Sequence, residues 1–247
     1  MSAGVQAECA LLPWDSAFFG RRIARLEPPR PAAADLDRAL AWAADQQVDC
    51  LYALIDADCT ASVRALESRR FEFMDVRLTL DRVTSGDDGL SASDGGRLIE
   101  VARPDDADAL AALARESHTG TRFTEDPRFG RDRAADLYAA WVTSALGQPD
   151  TRVLVIRDGT QLAAYLVLQR MSGPEASIGL VAVRAASRRR AWGRALAAHA
   201  RREAQRAGAT RISVVTQGGN PAAVRFYERC GFTARACQLW YHRWFTS

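Results

Sequence analysis

The stretch Leu180 to Leu196 reads LVAVRAASRRRAWGRAL, with Arg188, Arg189, Arg190 and Arg194 gathered where an apolar run passes through a short polar turn into a helix. Cations at a helix start oppose the macrodipole, each by roughly 0.3–1 kcal/mol when exposed. An anion bound there reverses the sign, because backbone N–H groups, dipole and guanidinium groups then all attract it. The chemistry this spacing suggests is a phosphate seat. A solvated turn in an arginine-biased chain is the plainer alternative. A second cluster follows in Gln217 to Phe232, QGGNPAAVRFYERCGF. Asn220 suits a helix cap and Pro221 the first helical position. Tyr227 lies two turns on, so an amide and a phenol can share one side of a short helix.

The elements that must position these residues follow from periodicity. Strands are expected at Val48–Ile55, Phe71–Leu80, Leu98–Ala102, Arg152–Arg157, Gln161–Arg170, Ser177–Arg184, Arg211–Thr216 and Phe232–Trp244, and helices at Asp35–Gln47, Thr60–Arg69, Asp105–Ser117, Phe129–Leu146, Arg190–Ala207 and Pro221–Cys230. Asp158-Gly159 marks a hairpin and Gly208 a helix end. The segment TSGDDGLSASDGG (residues 84–96) is ten-thirteenths Gly, Ser and Asp, a composition that cannot bury apolar surface. It divides the chain into an N-terminal α/β part (1–83), a linker (84–97) and a C-terminal part (98–247). The parts echo each other. Ala61–Arg82 aligned without gaps on Ala222–Arg243 gives seven identities in 22 positions, with Leu66 opposite Tyr227 and Cys59 opposite Asn220. A true repeat and chance agreement both stay open.

Composition sets the outer bounds. The chain has 247 residues, 48% hydrophobic and 26% charged, an ordinary soluble composition. Its net charge of +3 is too small to imply nucleic acid or an anionic membrane as partner. All 33 basic residues are Arg, so only local arginine clusters carry information. The longest uncharged stretch is about 13 residues, short of the ~18 a membrane span needs, and the first twenty lack a signal-peptide pattern. Five scattered cysteines, without a C-x-x-C, argue against a disulfide framework or a metal site and for a reducing, cytoplasmic setting.

The order strand, arginine-rich turn, helix, strand, Asn, helix with Tyr, Gly-Phe, strand resembles the GNAT superfamily of N-acetyltransferases over residues 98–246. The family motif for the pyrophosphate of acetyl-CoA is Gln or Arg, two residues, Gly, one residue, then Gly or Ala. It falls here on Arg188, Ala191 and Gly193, and Ala191 departs from it. LLPWDSAFFG (11–20), Thr121-Arg122-Phe123, LYAAWV (137–142), IGLVAV (178–183) and VVTQGGNPAAVRFYERCGF (214–232) extend the resemblance across nearly the whole chain, to members that acetylate an amino group on a nucleotide-linked sugar.

The resemblance implies a GNAT fold with a mixed central sheet, preceded by a smaller α/β domain like a half-copy of it. It also implies an acetyl-CoA-dependent transfer to a primary amine. The backbone of Val181, Ala182 and Val183 would pair with the pantetheine amides, and Arg188, Arg189, Arg190, Ala191, Trp192, Gly193 and Arg194 would hold the phosphates. Asn220 would bond the pantetheine arm, and Tyr227 would be the general acid at sulfur. Arg122 and Phe123 would bind the acceptor's diphosphate and base or sugar. Many relatives place a Glu on the strand here spanning Ser177–Val183, which has no acid. That leaves the base open among His118, Glu125, Asp126 and water, each also readable as a plain loop residue. The N-terminal part is expected to shape the acceptor side or a homodimer contact. Another small amine as acceptor, or a non-catalytic CoA-binding module, remains as an alternative.

Overall fold

The computed structural model describes residues 9–86 and 98–245. The segment read as a linker lies mostly outside the described residues. The chain runs β1 (Cys9–Leu11), α1 (Pro13–Phe19), β2 (Ile23–Leu26), α2 (Ala33–Asp45), β3 (Cys50–Asp56), α3 (Thr60–Glu67) and β4 (Glu72–Val83). It continues with β5 (Ile99–Val101), α4 (Ala107–Ser117), α5 (Arg122–Glu125), α6 (Arg131–Ser144), β6 (Thr151–Asp158), β7 (Gln161–Gln169) and β8 (Glu175–Val183). It closes with α7 (Trp192–Arg206), β9 (Arg211–Gln217), α8 (Pro221–Arg229) and β10 (Thr233–Trp244). The hairpin between β6 and β7 turns at Asp158-Gly159, where Gly159 takes a φ of 63°.

Ten strands form one mixed sheet in the order β1-β2-β3-β10-β4-β9-β8-β7-β6-β5. Among the described residues, β2–β3 and β8–β9 are the parallel pairs. The strands that precede and follow residues 84–97 are interleaved: β10 lies between β3 and β4, and β4 lies between β10 and β9. The alignment that sets Ala61 on Ala222 also sets β3 on β9, α3 on α8 and β4 on β10 along their lengths. Each strand–helix–strand unit therefore gives its last strand to the other side of the sheet.

Helices cover both faces. Leu196, Ala200 and Ala204 of α7 recur at helical spacing and pack, with Tyr227 of α8, on β6–β9. On the same face α2 and α3 cover β2 and β3 through Leu36, Ala39, Ala43 and Leu66. The opposite face is covered by α4, α5 and α6 through Leu110, Leu113, Phe123, Leu137 and Val142. Each fully buried leucine of these seams is worth roughly 1.5–3 kcal/mol. Two short helices, α1 and α5, are not legible from periodicity. They are held by aromatic packing instead: Phe19 meets Phe123 at 5.5 Å and Phe129 at 4.4 Å between ring centroids.

Candidate active site

The site begins as a fault in the sheet. β8 and β9 pair only from Glu175–Ile178 against Arg211–Val214. At Gly179 β8 carries one residue more than its partner, because Val167 of β7 faces Leu180 while Leu168 faces Ile178. Such a bulge bends the strand that carries it. Beyond it Leu180–Val183 stays bonded to β7 and, among the described residues, presents its other backbone edge to no strand, while Val215–Gln217 stays bonded to β4. Between the diverging strands lies a cleft of about 290 Å³, lined by both. Unpaired N–H and C=O groups on a strand edge are a ready partner for an amide-bearing chain.

One wall comes from α8. Asn220 accepts a hydrogen bond through Oδ1 from the backbone N–H of Ala223 at 3.0 Å, so its free amide N–H groups are what it offers the cleft. The Tyr227 ring packs against Phe226 and Phe232, centroids at 4.9 and 5.7 Å, and also lines the cleft. Burial pushes its phenol well above the ordinary tyrosine range, so it stays protonated.

The opposing wall comes from β4, from the N-terminal side of the linker. Asp75 and Arg77 both line the cleft. Sequence reading passes over them because Asp75, Arg77, Thr79 and Asp81 alternate with Val76, Leu78 and Leu80, the pattern of a strand with one wet face. Here the first two of these polar residues line the cleft. Burial raises the Asp75 carboxyl from 3.8 to about 6, against the lowering effects of the Val76 backbone N–H and of Arg122; Glu125 adds to the rise. Arg77 donates to the neutral Oε1 of Gln238 at 2.6 Å, and among the described residues no carboxylate lies within ion-pair distance of it. Burial and the neighbouring Arg170, Arg235 and Arg25 lower its pKa.

The roof is aromatic and comes from α4–α6. His118, Arg122, Phe123, Tyr138 and Trp141 line it. Phe123 is only 2% exposed and is mainly a core residue. His118 sits with Nε2 2.8 Å from the Tyr165 hydroxyl, its ring stacked on Tyr138, and burial brings it down to about 4, so it is neutral and a weak base. Glu125 is exposed and does not line the cleft, and Asp126 is buried in contacts with His242 and Trp244. Among the described residues, Asp75 is the one acid that lines the cleft.

The arginine turn lies past the end of β8. Arg188, Arg189, Arg190 and Arg194 are exposed. Arg190 is paired with Asp158 at 2.5 Å and lies over the Trp192 ring. Arg188 donates through Nε to the Val183 carbonyl at 3.4 Å. Among the described residues no carboxylate lies within 4 Å of Arg188, Arg189 or Arg194. The side chains of Trp192 and Ala182 are buried in core clusters, so they contribute packing. Arg189 and Ala191 both take left-handed backbone, φ 63° and 61°. That explains why a glycine is the natural residue at position 191 and why alanine there is strained. Gly193 packs closely, since a Cβ there would lie 3.1 Å from the Phe226 ring and that ring would have to give by a few tenths of an ångström.

Fold and cleft together are those of an enzyme class that takes an acyl group from a coenzyme A thioester. The model of the acetyltransferase (GNAT) family matches residues 108–232, about half of the chain. The chain belongs to that family and is an acetyl-CoA-dependent N-acetyltransferase. It is 29% identical over 97% of its length to the dTDP-fucosamine acetyltransferase of Escherichia coli O6:H1, covering 99% of that protein. It is 30% identical, over 57% of its length and 48% of the relative's, to the spore coat polysaccharide biosynthesis protein SpsD of Bacillus subtilis. A crystal structure of a GCN5-related N-acetyltransferase from Sphaerobacter thermophilus matches with a TM-score of 0.69, covering 97% of this chain and 76% of that one at 15% identity, a likeness of fold. Among the described residues no helix is long and apolar enough to cross a membrane.

Proposed function

We propose that the protein transfers acetyl from acetyl-CoA to the primary amine of a nucleotide-linked amino sugar. The observation that carries this reading is the cleft between β8 and β9, with Asp75 on one wall and Tyr227 on the other. Similarity to a dTDP-fucosamine acetyltransferase across both halves supports the sugar.

The residues fit the donor. The open edge of Val181–Val183 and the amide of Asn220 would hold its pantetheine arm. Arg188, Arg189 and Arg194, with the start of α7, would hold its phosphates. Acetyl-CoA supplies an acetyl group activated as a thioester. Asp75 accepts a proton from the amine nitrogen at its carboxylate, and Tyr227 delivers the proton of its hydroxyl to the departing sulfur. Arg77 and Arg122 offer guanidinium groups to the diphosphate of the acceptor. His118, Tyr138 and Trp141 close the cleft against water on the acceptor side.

The test is thiol release from acetyl-CoA in the presence of TDP- and UDP-amino sugars, with non-sugar amines in parallel. Release with an amino sugar and not with the others supports the reading. Release only with a different amine refutes the sugar, and no release with any amine refutes the acetyltransferase site as drawn.

A further inference from the structure

Three side chains, two from the ends of α5 and one from β10, form a line that ends at the cleft. Asp126, just after α5, and His242 on β10 both have side chains with no exposed surface. Asp126 Oδ2 accepts from Nδ1 of His242 and from Nε1 of Trp244, each at 2.8 Å, while Oδ1 accepts from the backbone N–H of Arg128 at 3.1 Å. On its other side, His242 Nε2 lies 2.9 Å from Nη1 of Arg122. A guanidinium only donates and a carboxylate only accepts. The imidazole is therefore neutral, with its hydrogen on Nδ1 and its lone pair on Nε2. Its depressed pKa of about 4, set first by burial, agrees.

An aspartate–histidine pair beside a cleft invites the reading of a general base. Here it cannot serve as one. The lone pair that would take a proton is filled by Arg122, and a guanidinium neither yields nor relays protons at ordinary pH. What the pair can do is hold Arg122. The guanidinium lies 4.3, 4.0 and 4.1 Å from the ring centroids of Tyr52, Phe123 and Trp240. Among the described residues it has no carboxylate within 4 Å, although Asp15 and Asp75 feel its charge. A long, entropy-rich side chain is thus fixed by rings on its faces and by one acceptor at its edge, leaving further N–H groups for a ligand.

We propose that Asp126 and His242 are positioning residues that hold Arg122 as a fixed donor toward an anionic, oxygen-rich group of the acceptor, the diphosphate of a nucleotide sugar. This inference rests on the amino-sugar reading above. It assigns a task to the β10 histidine and to the acid after α5, and it makes β10 part of acceptor recognition.

The experiment is a set of cycles on the full-length enzyme with the nucleotide-sugar acceptor. Arg122→Ala is expected to raise the acceptor KM by roughly tenfold or more, with coenzyme A affinity unchanged. Asp126→Asn, which removes the charge from the acceptor of the His242 Nδ1–H group and so loosens the line that holds Arg122, is expected to raise the acceptor KM in the same direction. It should add nothing in the Arg122→Ala background. Independent, multiplying effects would overturn the proposal, as would an unchanged KM in Asp126→Asn. Should Asp126→Asn fold poorly, His242→Gln decides: its amide oxygen can still accept from Arg122, so a KM within about threefold of wild type supports the proposal. A KM as high as that of Arg122→Ala overturns it. Long-range 1H–15N spectra of the imidazole give a readout apart from turnover. An Nδ1–H tautomer at pH 7 supports the hydrogen-bond line, and an Nε2–H or doubly protonated ring refutes it. An unaltered acceptor KM in Arg122→Ala, with the Nδ1–H tautomer present, would count against the diphosphate reading and leave the line itself standing.

Discussion

Replacing Asp75 by asparagine separates the demands of the reaction from those of the fold. Burial raises the carboxyl of Asp75 from 3.8 to about 6. Between those two values the unfolded chain ionises while the folded chain keeps its proton. The folded state therefore loses stability as pH rises through that window and carries the full deficit above it. Two units correspond to about 3 kcal/mol, and partial solvation of the cleft reduces this to roughly 1–2 kcal/mol. The Asp75→Asn variant, with no charge to bury, is expected to be more stable than wild type by about that amount at pH 8 and equal to it below pH 4. Urea unfolding at both pH values measures this. In catalysis the sign reverses. The deprotonated carboxylate is the working form, so kcat/KM of the wild type should fall below pH about 6. The variant should lose roughly 10²–10⁴ of the rate together with that acid limb. A variant that turns over like wild type would refute the base role, and one that is less stable than wild type at pH 8 would refute the cost of the buried charge.

Three further outcomes follow from the same geometry. Tyr227→Phe keeps the ring packing on Phe226 and Phe232 and removes only the donor, so kcat should drop by roughly 10²-fold or more while calorimetry finds coenzyme A binding intact. Ala191→Gly relieves left-handed backbone that costs an L-residue about 1–2 kcal/mol, partly offset by glycine's greater chain entropy. A net gain of up to about 1 kcal/mol is expected in thermal unfolding. Asp158→Ala breaks the exposed pair with Arg190, both side chains being 49% exposed, so stability should change by less than about 1 kcal/mol. It frees that guanidinium, and coenzyme A affinity measured at low salt should hold or rise.

Much of the C-terminal half was legible in the residues themselves. The arginine turn, the Asn220 cap with Pro221 behind it, and Tyr227 two turns on are local signals, because capping, helix phase and charge near a helix start depend on neighbours in sequence. The repeat of Ala61–Arg82 in Ala222–Arg243 was visible as seven identities, though not the arrangement in which β4 and β10 lie side by side. The acid in the cleft was not legible. Asp75 sits in an alternating strand whose polar face looks solvent-bound until β4 is inserted beside β9. Asp126 and His242, 116 positions apart, meet only because β10 returns next to β3 under α5.

Sequence alone determined what could be written in short range: the longer strands and helices, the arginine cluster ahead of a helix, and the phenol two turns on from the capping amide. Tertiary structure decided the composition of the cleft. Asp75 and Arg77 precede residues 84–97 in the chain, Arg122 and Trp240 follow them, and all four line it. Side-chain alternation shows that one strand face is polar, but strand order and register determine whether that face meets water or a substrate.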